Sequence, residues 1–327
     1  MNPQNEQYRF QQDDKGNYFI SLALFTGSYE YKITRGGWNK VECHRSGEAT
    51  ENRKLLVKGD TILHIDIEAW ADHFPVKPKL STASRNVKVI DTVFYIPQLN
   101  RTRRIWVYLP EDYTTSKKKY PVLYMHDGQN LFEDSSSFSG EWGVDEFMDT
   151  TTLKKCIVVG IDNGKDKRRN EYNPYDNERF GKGEGNAYAD FLVKTLRPYI
   201  NKQYRIIRNR KNTLISGSSM GGLISMHAVL KYPKVFGAVG VFSPAFWVAP
   251  QIINDIRVNG KKVKSKIYFY AGKQEGETMV PGMLKVFEEM LKYSRSKMTT
   301  VIRDDGKHHE TTWRKEFPLF YEWVMQK

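Results

Sequence analysis

The order of apolar and polar positions divides the chain near residue 76. In the first part, short runs rich in strand-forming residues are separated by turn material such as Gly36-Gly37. The clearest runs cover residues 18–25, 29–34, 55–57 and 61–67. Several short strands with turns between them are typical of a β-sandwich. We therefore predict a small all-β, immunoglobulin-like sandwich over residues 1–75.

The second part has a different pattern. Residues 76–89 predict a linker, because Pro78 and a Ser-Thr-Ala-Ser run interrupt any regular period. From residue 90 onward, compact apolar runs alternate with segments of helical spacing. Residues 87–96 and 104–109 predict a pair of strands, and the apolar runs predict strands at residues 121–125, 156–161, 213–216, 236–242, 266–271 and 299–302. The helical segments cover residues 188–200, 222–232, 282–293 and 317–325. This alternation indicates an α/β domain over residues 90–327 with a mostly parallel central sheet.

The clearest chemical signal is a serine between glycines. The run Gly217-Ser-Ser219-Met-Gly221 fits G-x-S-x-G and lies between a predicted strand and a predicted helix. In that setting the central serine occupies a tight turn and is exposed for nucleophilic attack. Ser218 does not fit the pattern. We predict Ser219 as a nucleophile.

A serine hydroxyl needs a base and a carboxylate that orients the base. In this architecture both follow the serine in chain order. Glu275 lies just after the predicted strand at residues 266–271, so we predict it as the acid, with Glu277 as the alternative. The base is expected after the last strand, where His308 and His309 stand side by side.

An oxyanion hole requires two N–H donors. The residue after the nucleophile, Met220, supplies one by position. The loop after the predicted strand at residues 121–125 is expected to supply the other, and we predict the Gln129 N–H. His126 and Asp127 in that loop are expected to hold it in shape by hydrogen bonds.

Composition excludes several classes of protein. The chain has 327 residues, of which 39% are hydrophobic and two are cysteine, so we expect a folded core without a disulfide framework. No apolar run is long enough for a transmembrane helix, and the first residues lack an export signal, so the compartment stays open. No metal or organic cofactor is expected. The oligomeric state stays open.

The formal net charge is +13. The basic clusters at residues 117–119, 165–169 and 261–266 lie outside any nucleic-acid motif. We therefore expect no nucleic-acid or membrane partner, and interpret the clusters as solvated surface, with an anionic ligand as the alternative.

Residues 90–327 resemble the esterase D / enterochelin-esterase-like branch of the α/β-hydrolases, which includes feruloyl and acetylxylan esterases of carbohydrate esterase family one. The matching segments cover residues 122–132, 141–146, 158–163, 217–222, 242–247 and 308–313. The resemblance implies Ser219 as nucleophile, an acid in the turn at Glu275, and a base five positions before a Trp. His308 and Trp313 have that spacing, so the resemblance favours His308 over His309.

The first part of the chain is similar to starch-binding-type carbohydrate-binding modules through residues 27–38. That resemblance implies Trp38 and Trp70 as candidates for stacking on sugars, with packing inside the domain as the alternative for both.

These observations together predict a serine esterase that cleaves feruloyl or acetyl esters from a plant cell-wall polysaccharide such as xylan. Aromatic residues suit a pocket for sugars or phenolic acids, and the candidates are Trp142, Trp247, Phe132 and Phe246. Two alternatives stay open. One is an esterase for an anionic, enterochelin-like siderophore trilactone, which the net charge would favour. The other is a glycan-binding protein without catalytic activity.

Overall fold

The computed structural model describes residues 3, 5–75, 81–178 and 180–326. The chain divides into two compact units, Met1–Lys79 and Leu80–Lys327. Each unit is described on its own below.

The first unit contains three separate pairs of antiparallel strands. The pairs are β1 (Gln11–Gln12) with β2 (Tyr18–Phe19), β3 (Gly27–Tyr31) with β5 (Arg53–Val57), and β4 (Glu42–Cys43) with β6 (Ala69–Trp70). Short 3-10 turns cover Glu6–Tyr8, Trp38–Lys40 and Ala71–His73.

The predicted immunoglobulin-like sandwich is not confirmed by these pairs. Residues 61–67, predicted as a strand, form none, and the side chains of Phe25 and Ile62 are exposed. Among the described residues of this unit, Cys43 is the one hydrophobic side chain that is buried. Two-stranded pairs are marginal alone, because stability needs a third strand or a packed face. The alternation of apolar and polar residues therefore indicated that strands are present, but it did not determine whether they assemble into two packed sheets.

The boundary between the units differs from the prediction. Residues 81–89, predicted as linker, belong to the second unit. The backbone N–H of Ser84 donates to Asp145 Oδ2 at 2.7 Å, and Asn86 Nδ2 donates to Asp149 Oδ1 at 2.7 Å. The first strand of the second unit then begins at Val87. Residues 76–80 of the predicted linker lie outside the described residues.

The second unit is built on an eight-stranded sheet. Its strands in chain order are β7 (Val87–Ile96), β8 (Arg101–Tyr108), β9 (Val122–His126), β10 (Ile157–Ile161), β11 (Thr213–Ser218), β12 (Ala238–Phe242), β13 (Lys266–Gly272) and β14 (Lys297–Arg303). Their order across the sheet is β14-β13-β12-β11-β9-β10-β8-β7. The strands from β9 to β14 are parallel, and β7 and β8 pair antiparallel at one edge. The predicted, mostly parallel α/β-hydrolase sheet is therefore present.

Eight α-helices cover the two faces of this sheet in the described residues. They are α1 (Val144–Thr150), α2 (Arg168–Glu171), α3 (Gly185–Phe191), α4 (Arg197–Gln203), α5 (Met220–Lys231), α6 (Ile252–Asn259), α7 (Met279–Tyr293) and α8 (Glu310–Met325), with a π turn at Leu192–Leu196 joining α3 to α4. Short 3-10 turns cover Glu111–Tyr113, Gly128–Asn130, Lys165–Lys167, Arg210–Asn212, Phe246–Val248, Gly260–Lys262 and Lys273–Glu275.

Two hydrophobic clusters fill the space between helices and sheet. The larger cluster includes buried residues of α3, α5, α6 and α7, and the smaller one lies against α1 and α8. In the smaller cluster, Phe317 and Phe320 of α8 pack beside Trp142 and Phe242. Fully burying a side chain of this size contributes about 1.5–3 kcal/mol. The central strands β9 to β13 are buried on both faces, which explains why their sequences are continuous apolar runs rather than alternating ones. The edge strands β7 and β14 are partly exposed.

The register of the parallel strands aligns their carboxyl ends. Ser218 pairs with Phe242, and Phe242 pairs with Tyr270. Further along, Gly272 pairs with Arg303. Open α/β sheets bind ligands beyond the carboxyl ends of their strands, so a functional site is expected among the loops at this edge.

Candidate active site

Ser219 follows strand β11 and precedes helix α5, and its backbone is strained. Its φ is 57° and its ψ is −121°. This conformation is held from both sides, because the Ser219 N–H donates to Phe242 O at 2.9 Å and its carbonyl accepts from Ala245 N at 3.1 Å. Backbone strain of this kind persists only where neighbouring groups enforce it, and it is typical of a nucleophile on a sharp strand-to-helix turn.

The two glycines around Ser219 are required by close contacts. A Cβ on Gly217 would lie 2.9 Å from the backbone of Gly221. A Cβ on Gly221 would lie 3.2 Å from Asp127 Oδ2 and 3.3 Å from His126 Cβ. The turn therefore closes on itself and also presses against the loop after β9. Those contacts explain the spacing of the sequence motif.

Glu275 and His308 are in direct contact. His308 Nδ1 lies 2.7 Å from Glu275 Oε2. The carboxylate side chain is completely buried, whereas the imidazole is 38% exposed. The bond occupies Nδ1 of the imidazole and leaves Nε2 available for proton transfer. Within the described residues, no hydrogen bond joins the Ser219 hydroxyl to His308; such contacts are often long in ligand-free enzymes.

Ser243 supports the carboxylate from behind. Its hydroxyl donates to Glu275 Oε1 at 2.7 Å and accepts from Trp313 Nε1 at 2.9 Å. The Gly272 N–H donates to the same carboxylate oxygen at 2.6 Å. The Trp313 ring also stands edge-on to the His308 ring, with centroids 5.1 Å apart. A buried chain of contacts thus runs from Trp313 through Ser243 and Glu275 to His308.

Sequence reasoning missed Ser243. Its residue type gives no signal, because the serine acts through a contact between the ends of β12 and β13. Its positive φ of 43° is a property of the fold.

His309, the alternative base, has other partners. Its Nδ1 accepts from the Thr311 N–H at 3.2 Å, which caps the start of α8. Its Nε2 lies 2.7 Å from Ser139 Oγ. The geometry therefore pairs Glu275 with His308 and gives His309 a capping position. Glu277, the alternative acid, is exposed.

The predicted oxyanion donors lie on adjoining loops. Met220 is the first residue of α5, so its N–H has no acceptor within the helix. Gln129 lies in the 3-10 turn Gly128–Asn130 that follows β9. Neither N–H donates a hydrogen bond within the described part of the chain. The close approach of Gly221 to Asp127 brings the start of α5 against the segment that leads into this turn.

Asp127 anchors that loop through an ion pair. Its carboxylate accepts from Arg168 Nε at 2.6 Å and Nη2 at 2.8 Å, and from Asn163 Nδ2 at 2.8 Å. Burial alone would raise the pKa of Asp127, but the charge and hydrogen bonds of Arg168, with the bond from Asn163, outweigh it and lower the pKa. The Asn163 N–H in turn donates to Gln129 Oε1 at 3.1 Å. The carboxylate therefore stays charged and fixes the loop, as the sequence led us to expect.

His126 is buried beneath the same loop. Its Nδ1 lies 3.0 Å from the Tyr188 hydroxyl. Burial lowers the pKa of His126 to about 4, so the ring is neutral near pH 7. A neutral buried imidazole has a structural role here, in agreement with the prediction that His126 helps to shape the loop.

Two side-chain contacts tie the loop that carries the base to the loop after β9. One is the Ser139–His309 contact described above. In the other, Asn130 Nδ2 donates to Glu310 Oε1 at 3.2 Å. Glu310 is buried at the start of α8, and burial raises its pKa. Neither Asn130 nor Glu310 was predicted, since both act through a contact between distant segments.

Three of the four predicted pocket aromatics are buried in the core, which corrects that prediction. Phe132, Trp142 and Phe246 are buried at 0%, 3% and 4% exposure. They have no surface to offer a ligand, because Phe246 packs in the larger hydrophobic cluster and Phe132 and Trp142 in the smaller one. The fourth, Trp247, is 56% exposed and meets the ring of Phe180 edge-on at 6.1 Å.

Phe138 is an exposed aromatic that the sequence reasoning missed. It is 91% exposed. Its N–H donates to Asn130 Oδ1 at 3.1 Å, and the next residue, Ser139, contacts His309. The backbone is therefore fixed on both sides of an unburied ring. Phe138 and Trp247 follow β9 and β12, the strands on either side of β11.

Two further findings concern metal ions and membranes. Among the described residues, no three His, Cys, Asp or Glu side chains are grouped so that they could hold a metal ion. No helix in the described part of the chain is long and apolar enough to cross a membrane.

Comparison with known proteins now places the chain. It matches the Putative esterase family over residues 96–320 and therefore belongs to that family. The chain is a carboxylic ester hydrolase, and the resemblance to the esterase D / enterochelin-esterase-like branch agrees with this membership.

The chain is also similar in sequence to proteins of two bacteria. Over 241 residues the chain is 27% identical to YbbA of Bacillus subtilis, which spans 69% of this chain and 93% of that protein. It is 27% identical over 218 residues to the endo-1,4-beta-xylanase/feruloyl esterase of Xylanibacter ruminicola, across 64% of this chain but 27% of that protein.

Among solved structures, the BES protein of Bacillus cereus has a TM-score of 0.64 at 16% identity and covers 78% of this chain and 100% of its own. Enterochelin esterase of Shigella flexneri has a TM-score of 0.60 at 17% identity and covers 79% of this chain and 63% of its own. At these identities, the structures establish a shared fold.

Proposed function

We propose that this esterase works through a Ser219–His308–Glu275 triad. The observation that carries the proposal is the 2.7 Å contact between His308 and a fully buried Glu275 carboxylate, at the same sheet edge as the strained Ser219. A buried carboxylate fixes the imidazole tautomer and stabilises the imidazolium that forms during catalysis.

The proposed reaction has two steps. His308 Nε2 takes the hydroxyl proton of Ser219 while the Ser219 oxygen attacks the ester carbonyl carbon. The Met220 and Gln129 N–H groups stabilise the resulting oxyanion. The tetrahedral intermediate then collapses, the alcohol leaves with the proton from His308, and Ser219 carries the acyl group. Water, deprotonated by His308, then attacks the acyl carbon. The bond to Ser219 breaks, the acid is released, and His308 returns the proton to the Ser219 oxygen. These steps use side chains and backbone N–H groups of this chain.

The proposed substrate class is a feruloyl or acetyl ester on a cell-wall polysaccharide such as xylan. The relative from Xylanibacter ruminicola, named as a xylanase/feruloyl esterase, supports the acyl class. Exposed Phe138 and Trp247 support an aromatic or sugar ligand, since rings of this kind stack on both.

The charge around the site also supports a neutral ester. The segments that follow β9, β10, β12, β13 and β14 hold fourteen acidic residues against eight lysines and arginines; they are residues 127–143, 162–184, 243–251, 273–278 and 304–309. The net charge of +13 therefore does not arise at the catalytic edge. A trianionic siderophore would gain little attraction there.

The siderophore alternative rests on the basic cluster at residues 165–169. Arg168 is engaged by Asp127, and Arg169 lies over the ring of Phe180 at 4.7 Å. Lys165, Lys167 and Arg169 are exposed, and Lys167 pairs with Asp166 at 3.5 Å. Membership in an esterase family argues against the other alternative, a glycan-binding protein without catalytic activity.

The first unit is the proposed place for contact with the polysaccharide. Trp38 is 50% exposed and can stack on a sugar, whereas Arg35 lies 5.0 Å from the Trp70 ring centroid and covers it. In the full chain, Trp38→Ala should reduce retention on insoluble xylan, and Trp70→Ala is the matched comparison. Equal retention of Trp38→Ala and wild type would remove Trp38 from the proposal.

A paired hydrolysis assay tests the substrate class. Methyl ferulate, acetylated xylan and a ferric catecholate trilactone are each incubated with wild type and with Ser219→Ala. We expect wild type to release ferulate or acetate faster than it opens the trilactone, with Ser219→Ala inactive on all three. Preference for the trilactone, with rates that fall steeply as salt rises, would favour the siderophore alternative. Hydrolysis by Ser219→Ala at the wild-type rate would contradict the nucleophile.

A further inference from the structure

The edge of the sheet opposite the candidate active site carries a one-sided charge. The segments that precede the six parallel strands hold fourteen lysines and arginines against two acidic residues; they are residues 110–121, 151–156, 204–212, 232–237, 260–265 and 293–296. These segments are called the basic edge below. Because neighbouring strands lie about 4.8 Å apart, the row extends over about 24 Å.

In the part of the chain that the structure describes, carboxylates do not balance this charge. The two acidic residues are already engaged, since Asp112 accepts from Lys118 at 2.9 Å and Glu111 accepts from Arg85 at 2.6 Å. Several of the cations instead donate to uncharged oxygens. Arg210 donates to Lys264 O at 3.0 Å, and Arg205 donates to Lys118 O at 3.2 Å. Concentrated like charge lowers the stability of a compact chain through self-repulsion, so an arrangement of this kind is explained best by a ligand.

A concave surface lies at one end of the basic edge. A cavity of about 640 Å³ opens where the segments leading into β9 and β10 meet. Its charged lining consists of four lysines, Lys118, Lys119, Lys154 and Lys155, and of the two carboxylates already named, Glu111 and Asp112. Lys154 donates to Asn212 Oδ1 at 3.3 Å and Lys155 to Asp149 O at 2.9 Å, both uncharged acceptors. An ammonium group with only neutral partners retains its attraction for an anion.

We infer that the basic edge binds an extended polyuronate chain, a polysaccharide that carries a carboxylate on each sugar. The lysine-lined cavity holds one part of the chain, and the row of cations along the strand ends holds the rest. In combination with the proposed function, on which the choice of a polysaccharide rests, this surface would keep the enzyme on an acidic cell-wall polymer while its other edge cleaves esters.

The surface fits other polyanions less well. Single-stranded nucleic acid binds through exposed aromatic rings on which its bases stack. At the basic edge, Tyr120 is buried and the Tyr113 ring lies 3.8 Å from the Arg205 guanidinium. A bilayer surface is anchored by exposed apolar side chains as well as by charge. No large hydrophobic side chain is exposed in these described segments.

Direct binding to polygalacturonate tests this inference without relying on hydrolysis. The triple variant Lys119→Gln, Lys154→Gln, Lys155→Gln removes three cations that lack a carboxylate partner in the described residues. A charge-matched control, Lys88→Gln, Lys285→Gln, Lys315→Gln, removes three exposed lysines elsewhere on the second unit. Affinity is measured by calorimetry at low salt and at about 1 M salt, where the Debye length is about 3 Å. Neutral arabinoxylan, duplex DNA and phosphatidylglycerol vesicles are the comparison ligands.

Wild type and the control should bind polygalacturonate at low salt, and the first triple variant should bind about tenfold more weakly, as expected for three exposed ion pairs. High salt should abolish binding in all three proteins. The melting temperature and kcat/KM on methyl ferulate should be the same for each.

Two results would overturn the inference. Equal loss in both triple variants would mean that net charge rather than this surface attracts the polymer. Tighter binding to duplex DNA or to the vesicles than to polygalacturonate would assign the surface to another class of partner. A wild-type protein that binds polygalacturonate but does not hydrolyse methyl ferulate would count against the proposed function and not against this surface.

Discussion

Ser243 offers a sharp test of the buried support behind His308. Its hydroxyl donates to Glu275 Oε1 at 2.7 Å and accepts from Trp313 Nε1 at 2.9 Å, and its backbone has a positive φ of 43°. Ser243→Ala and Ser243→Gly both remove the hydroxyl. They differ in backbone freedom, because glycine adopts positive φ without strain whereas alanine does not.

The expected magnitudes follow from these contacts. Loss of the hydrogen bond to a carboxylate costs about 1.5–3 kcal/mol, and loss of the bond from Trp313 about 1 kcal/mol more. Ser243→Ala should therefore lower the free energy of unfolding by about 2.5–4 kcal/mol. Ser243→Gly should be less destabilised, by up to about 1 kcal/mol, because relief of left-handed strain outweighs the greater freedom of its unfolded chain. Both variants should lose about 10- to 100-fold in kcat/KM, since Glu275 orients His308 less firmly.

Urea denaturation and steady-state kinetics on methyl ferulate measure the two effects separately. Equal activity loss with unequal stability loss would identify the hydroxyl as the catalytic support and the backbone as the strained element. The reasoning is refuted if both variants keep kcat/KM within about twofold of wild type, which corresponds to less than about 0.5 kcal/mol.

Three further predictions concern the same region and the core. His308→Ala should lose at least about 10³-fold in kcat/KM, because no base then activates Ser219. His309→Ala should lose less than about tenfold in kcat/KM, and its main effect should be to destabilise α8 by about 1 kcal/mol through the lost cap. Equal activity losses in the two variants would contradict the assignment of His308 as the base. His126 has a pKa lowered from 6.5 to about 4 by burial, so the unfolded chain binds the proton first as pH falls. The contribution of neutral His126 to the free energy of unfolding should be complete above pH 6.5 and fall by about 3 kcal/mol toward pH 4. Urea titrations at both pH values should show that His126→Asn loses less stability than wild type, and an identical pH dependence in the two proteins would refute this prediction. Burial raises the pKa of the Cys156 thiol to about 12, so Cys156 should not react with a disulfide reagent at pH 8 until the protein unfolds, as mass spectrometry of the labelled chain can check; rapid labelling of Cys156 in the native protein would contradict its burial.

The sequence was informative where one local pattern determines one local structure. The run Gly217-Ser-Ser219-Met-Gly221 specifies a turn in which side chains at the glycine positions would clash. The strand-to-helix turn at Ser219 could therefore be located from the sequence alone. Continuous apolar runs located the parallel strands for a similar reason, because burial on both faces allows few other patterns. Chain order then directed attention to Glu275 and His308, which the structure places in contact.

Features that depend on contacts between distant segments could not be found in this way. Ser243 contacts Trp313 and Glu275 across 70 and 32 positions, and Asn130 contacts Glu310 across 180. Trp142 was assigned to a pocket and lies in the core, because a sequence does not distinguish an aromatic residue of a pocket wall from one of a core. In the first unit, the alternation of apolar positions marked strands that pair two at a time without specifying a sandwich.

The central claim is that Ser219 is the nucleophile of a Ser219–His308–Glu275 triad. The most direct measurement is labelling of the full chain with an organophosphate, followed by peptide mapping by mass spectrometry. The account predicts one adduct per chain, on Ser219, which is absent in Ser219→Ala and forms far more slowly in His308→Ala. An adduct on another residue, or undiminished labelling of Ser219 without His308, would contradict it.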